Sequence, residues 1–281
     1  MTRFVFALSV VICTACLGSA QDKAALSVDR IQNLAYNSAK DADPLRHKLD
    51  LYVPKKATNF PVVMFVHGGT WRSGNKDLYA AVGNTLGSQG IGTAVINYRL
   101  SSKEGKVKHP DHIHDVAKAF SWVKANVGKH GGDAGKLYVG GHSAGGHLVA
   151  LLGTDASYLK AEGCDVKDIR GVVALSGVYT IVPAIKQIQD AFGSDTKECL
   201  AASPMTHVSG HHPPFLIAYG DKDLPMLDIM AEQFGKKLTE CKCPTRVMKI
   251  SDRDHVSIMR NAAGNAEDPL TKAIVEFVKK N

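Results

Sequence analysis

The sequence is poor in the features that mark several protein classes. Beyond its first twenty residues it contains no CxxC pair, so neither a zinc ribbon nor a thioredoxin motif has support there. It has no block of five like charges. The excess of 34 Lys+Arg over 27 Asp+Glu, formally +7, is scattered along the chain, which argues against nucleic acid as a partner. No apolar run reaches the roughly 20 residues that span a bilayer. No repeat, low-complexity tract or linker divides the chain. Aromatics make up 7%, charged residues 22% and apolar residues 44% of 281 residues, which excludes a disordered, collagenous or coiled-coil protein.

The first twenty residues read as a secretory signal peptide. Arg3 gives a positive start, 4–13 is almost wholly apolar, and Gly18, Ser19 and Ala20 supply small residues for cleavage. Residues 21–281 would then form the folded domain, in a secreted or periplasmic protein without stable membrane insertion. Cys16 is a minor alternative site for a lipid anchor. Four cysteines would remain, Cys164, Cys199, Cys241 and Cys243. Export permits a disulfide. Cys164 and the Cys241/Cys243 pair both precede strand-like runs, which favours a bridge from Cys164 to one of that pair.

What is present is an alternation. Apolar runs bounded by Gly or Pro occur at 61–67 (PVVMFVH), 91–98 (IGTAVINY), 136–140 (KLYVG), 170–176 (RGVVALS), 214–219 (PFLIAY) and 245–250 (TRVMKI). They suit strands buried on both faces. Helical spacing of apolar residues falls between them, at 115–127, 227–238 and 270–278. The alternation predicts an α/β fold with a mostly parallel central sheet and helices on both faces. Residues 48–53 (KLDLYV) alternate in character and suit an antiparallel edge hairpin. Residues 178–212 form a short cap-like excursion.

Three clusters carry chemistry. Gly141-His142-Ser143-Ala144-Gly145 follows a strand and opens an apolar helix, the context of a nucleophile elbow. His67-Gly68-Gly69-Thr70-Trp71 ends the 61–67 strand. The N–H groups of Gly68 and Gly69, with that of Ala144, are candidate oxyanion donors. A serine nucleophile needs a histidine base and a carboxylate to orient it, here expected in the order Ser, acid, His. His255 is the only histidine after His212 and is the base by elimination. Asp223 is the preferred acid, with Asp221 in the same turn as its rival. Asp252 and Asp254 lie too near His255 in sequence.

Together with NYRL (97–100), HPDHIHDVAKAFSWVKAN (109–126), ASPMTHV (202–208) and PPFLIAYGDKDLP (213–225), these pieces resemble the α/β-hydrolase superfamily. The similar branch holds secreted carboxylesterases, feruloyl and acetylxylan-type esterases and kynurenine formamidase-like enzymes. The resemblance implies an α/β-hydrolase fold, a cofactor-free serine mechanism, and Asp223 as acid, since the family's acid stands three residues after the turn glycine. Thr70 replaces the third glycine common in hormone-sensitive-lipase relatives, and His142 stands where they carry Asp. Both departures point to the esterase/formamidase branch.

The expected substrate is a small-molecule ester, plant-polymer-derived esters among the candidates, and a formamide hydrolase is the runner-up. A non-catalytic binding protein on this fold would be expected to have lost a triad member, and none is missing here. Trp71 and His142 are candidates for contact with substrate. No metal is expected: on a helix His112 and His114 face opposite sides. Asp115 resembles a family position whose role is structural.

Overall fold

In strand β3 (Phe60–Val66), Val62, Met64 and Val66 join one apolar cluster while Val63 and Phe65 join another. That period of two is what a strand covered on both sides requires. The computed structural model describes residues 25–102 and 104–280, so the expected signal peptide lies outside the described residues. The remaining strands are β1 (Val28–Ala35), β2 (Lys48–Pro54), β4 (Gly92–Ile96), β5 (Gly132–His142), β6 (Ile169–Leu175), β7 (Phe215–Lys222) and β8 (Thr245–Asp254). They form one sheet in the order β1-β2-β4-β3-β5-β6-β7-β8. Only the β1–β2 and β2–β4 pairings are antiparallel. The hairpin expected around residues 48–53 is therefore at the edge, as its pattern implies.

The helices are α1 (Ala80–Ser88), α2 (Asp111–Asn126), α3 (Ala144–Thr154), α4 (Ala156–Ala161), α5 (Lys186–Phe192), α6 (Thr196–Ala201), α7 (Pro204–His207), α8 (Leu227–Glu240), α9 (Ser257–Ala262) and α10 (Pro269–Lys280). Apolar residues of α2, α3 and α8 pack on one face of the sheet, and those of α1, α9 and α10 on the other. Each parallel strand runs the same way, so the loops after β3, β5, β6, β7 and β8 gather at one edge, where α/β sheets hold their sites. Among the described residues no helix is long and apolar enough to cross a membrane.

The bridge expected from Cys164 to Cys241 or Cys243 is not formed. Cys164, Cys199, Cys241 and Cys243 are all free. The reason is strand order. Cys164 precedes β6 and Cys243 precedes β8, but β7 lies between them. Two strand spacings are about 10 Å, and a disulfide needs Cα atoms within about 7 Å. Cys243 Sγ instead lies 3.0 Å from the Pro213 carbonyl oxygen.

Asp115 ties α2 to the chain around β2 and β4. Asp115 accepts hydrogen bonds from the Arg99 side chain (Nη2, 2.7 Å) and backbone N–H (2.9 Å), and lies 3.1 Å from His47 Nε2. Those bonds hold its carboxyl below the usual range although burial opposes them. His112 is buried against Ser101 Oγ at 2.8 Å, while His114 meets the Tyr158 ring.

Candidate active site

Ser143 is the first residue after β5, and α3 begins at the next residue. Its backbone is at φ 57°, ψ −118°, a region L-residues seldom occupy and one that stores strain. The turn is held from outside: Ser143 N–H donates to the Leu175 carbonyl at 2.8 Å, joining the elbow to β6. Gly145 allows α3 to lie against the end of β3. A Cβ there would stand 2.0 Å from the Val66 carbonyl oxygen.

His255 is the first residue after β8. Its Nε2 lies 2.8 Å from Ser143 Oγ, and its Nδ1 lies 2.7 Å from Asp223 Oδ1. A carboxylate at Nδ1 requires the proton there, which leaves the Nε2 lone pair for the serine hydroxyl. Asp223, the first residue after β7, is held at both oxygens. Oδ2 accepts from Ser176 Oγ at 2.5 Å and Gly220 N–H at 3.2 Å, and Oδ1 also accepts from Leu224 N–H at 2.8 Å. Burial alone would raise its pKa. The bonds from His255, Ser176 and Leu224 overcome that and hold it at about 2. The carboxylate is therefore charged at any working pH.

The rival carboxylates are occupied elsewhere. Asp221 accepts from Arg253 N–H at 3.1 Å, Asp252 pairs with Lys222 at 2.9 Å, and Asp254 accepts from Val256 and Ser257 N–H at 2.9 and 2.7 Å. Asp223→Asn is expected to lower kcat by about 10³–10⁴-fold through loss of the imidazole's orientation. Asp221→Asn should leave it within a few-fold. Steady-state kinetics on one nitrophenyl ester decides between them, and a larger loss from Asp221→Asn would reverse the assignment.

The loop after β3 closes on the elbow, so tightly that a Cβ on Gly68 would lie 3.1 Å from Ser143 Cβ. The three expected oxyanion donors do not stand alike. Gly68 N–H is already committed to Tyr79 Oη at 3.1 Å. The N–H groups of Gly69 and Ala144 have no acceptor among the described residues. The free donors are thus narrowed to Gly69 and Ala144, the latter at the N-terminus of α3, where the helix dipole favours negative charge.

Trp71 does not line the site. It is 2% exposed, donates from Nε1 to His147 Nδ1 at 3.2 Å, and packs edge-on against Phe192. A turn residue at the edge of the site can equally point down into the core, and here the partner on α3 takes its N–H. His142 lies in the wall of an open, mostly apolar cleft of about 440 Å³ with Leu78, Tyr79, Val256 and Met259, whose lining does not include Ser143 or His255. Both its ring nitrogens have protein partners, Tyr79 Oη at 2.9 Å and the His255 carbonyl at 2.8 Å. Its ring therefore has no free nitrogen to offer a ligand a hydrogen bond. Two functional positions, Ser176 and Tyr79, carry no motif signal. Only the position of Ser176, first after a strand next to β5, hints at it.

The BD-FAE family model matches residues 49–238, from β2 through most of α8. The chain belongs to the BD-FAE family. Among its relatives are a probable carboxylic ester hydrolase, LipM, of Mycobacterium tuberculosis and a probable isoprenylcysteine alpha-carbonyl methylesterase, ICMEL1, of Arabidopsis thaliana. The first is 33% identical over 181 residues, 58% of this chain and 41% of that one. The second is 26% identical over 258 residues, 84% of this chain and 52% of that one. The chain thus spans about half the length of these curated relatives. Solved structures with the same fold include a truncated carbohydrate esterase from gut microbiota (TM-score 0.77, 19% identity, 92% of this chain and 99% of that one). Another is esterase B of Lactobacillus rhamnosis (TM-score 0.74, 20% identity, 93% and 87%). This BD-FAE member accordingly has the α/β-hydrolase fold that its motifs resemble.

Proposed function

We propose that the protein is an exported serine hydrolase that cleaves carboxylic esters of small, soluble substrates through an acyl-enzyme. The observation that carries this reading is the unbroken line from Ser143 Oγ to His255 Nε2 at 2.8 Å and from His255 Nδ1 to Asp223 Oδ1 at 2.7 Å. The esterase names of its relatives support the same class, and the leader-like residues 1–20 support export. In the forward half, Ser143 Oγ bonds to the ester carbonyl carbon as its proton passes to His255 Nε2. Asp223 stabilises the imidazolium, and Gly69 and Ala144 N–H groups receive the oxyanion. Collapse breaks the bond to the alcohol, which leaves with the proton from His255. Water then repeats the sequence on the acyl-serine and releases the acid.

Chain-length preference follows from the cap-like segment. Residues 178–212 hold α5, α6 and α7, of 7, 6 and 4 residues. None offers an apolar face long enough to shelter a fatty chain, and each unburied methylene forgoes about 0.8 kcal/mol. Specificity constants on nitrophenyl acetate, butyrate, octanoate and palmitate should peak at acetate or butyrate and fall about tenfold or more by palmitate. No rise in rate is expected above the solubility limit of the ester. A maximum at palmitate would remove the soluble-ester reading while leaving the class intact.

A further inference from the structure

Resting on the serine esterase reading, we propose that Tyr79 and His142 are positioning residues, forming a one-way hydrogen-bond strut that ties the oxyanion loop to the loop of His255. The strut runs from Gly68 N–H to Tyr79 Oη (3.1 Å), from Tyr79 Oη to His142 Nδ1 (2.9 Å), and from His142 Nε2 to the His255 carbonyl oxygen (2.8 Å).

The direction of every bond is fixed by chemistry. The His255 carbonyl can only accept, so His142 Nε2 carries a proton. His142 is buried, and burial pushes its pKa down to about 4, so the ring holds one proton and Nδ1 is bare. Tyr79 must then donate to Nδ1, which leaves its oxygen to accept the Gly68 N–H. No other neutral arrangement gives each donor an acceptor.

The strut joins loops whose strands are not paired with each other in the sheet. Gly68 follows β3 and His255 follows β8, four places apart in the strand order. No ladder sets the spacing between their loops. Yet the reaction needs the oxyanion donor next to Gly68 and the base at His255 to address one carbonyl group within a few tenths of an ångström. The strut passes through His142, the residue before the nucleophile, so donor loop, elbow and base are indexed to one buried ring. Ground-state binding of an ester does not depend on that spacing, whereas the tetrahedral transition state does.

The test uses the full chain and the variants Tyr79→Phe, His142→Phe and the double. Each single variant should lower kcat on nitrophenyl acetate by roughly 10- to 100-fold, with KM within about twofold and the Tm loss unrelated in size to the kcat loss. Because either change severs the same strut, the double should be no slower than the slower single. Nitrogen-15 histidine spectra, with His142 assigned from its loss in His142→Phe, should show the Nε2–H tautomer in the wild type. An unchanged kcat in Tyr79→Phe, multiplicative losses in the double, or an Nδ1–H tautomer at His142 would each overturn the strut. Absence of ester turnover by the wild type would instead remove the esterase reading, and the tautomer would still test the bonding.

Discussion

Ser143→Ala should lower kcat on short nitrophenyl esters by about 10⁴–10⁶-fold, the range seen when a serine nucleophile is removed from a working triad. The residue left behind has the same Cβ, so the strained turn at φ 57° is neither relieved nor worsened. The Leu175 carbonyl still receives the backbone N–H. Far-UV circular dichroism and Tm should therefore match the wild type. What activity survives comes from the oxyanion donors and binding, which remain. Wild-type rates in a folded Ser143→Ala variant, after active-site titration excludes contamination, would sink the assignment of the nucleophile.

The second large effect is on stability against acid. Burial pushes His67, His109 and His142 down to about 4, and His112 and His147 to about 3. In an unfolded chain each titrates near about 6.5. Their folded values lie below their unfolded ones, so stability is full above about pH 6.5 and is lost as pH falls toward 4. At pH 5 the unfolded chain binds up to five protons that the folded state refuses. That gives a slope of at most roughly 7 kcal/mol per pH unit, against a total of about 5–15 for a typical protein. Asp223 does not offset this, because its contribution is lost only below the ordinary carboxylate range. Denaturant titrations from pH 7.5 to 4.5 should show stability falling steeply below pH 6.5. A flat dependence down to pH 4.5 would mean that these rings are hydrated or already charged.

The parts of the fold legible in the sequence were those whose constraint is local. Strands β3 to β7 announce themselves because burial on both faces demands continuous apolar runs, whereas the edge strand β8 is mostly exposed and shows only the short run TRVMKI. The elbow does so because strand, glycine, serine, glycine and helix are consecutive. β1 is mostly exposed and carries a bulge between Ile31 and Leu34, so its pattern has no clean period. α1 is rich in Ala and Gly, with little amphipathic signal. What sequence could not supply is strand order. The Cys164 bridge failed on it, because β7 intervenes. Ser176 stayed hidden because its bond to Asp223 joins residues 47 apart. Tyr79 reaches His142 across 63, and it is this bond network that withdraws the Gly68 N–H.

Ser143, Ser176, Asp223 and His255 are each the first residue past a strand, and those strands, β5, β6, β7 and β8, are consecutive neighbours in the sheet. The reactive groups thus stand like teeth on a comb whose pitch is the interstrand spacing of about 4.8 Å. Three of the four teeth rise from strands buried between helical layers, the part of a protein slowest to open. The tolerance of the chemistry is inherited from that rigid pitch, while residues 178–212, beyond Ser176, are free to change length and composition. Such a layout separates two kinds of variation. New alcohol or acyl groups can be accommodated by redrawing the excursion after β6, with no cost to the alignment of the atoms that react.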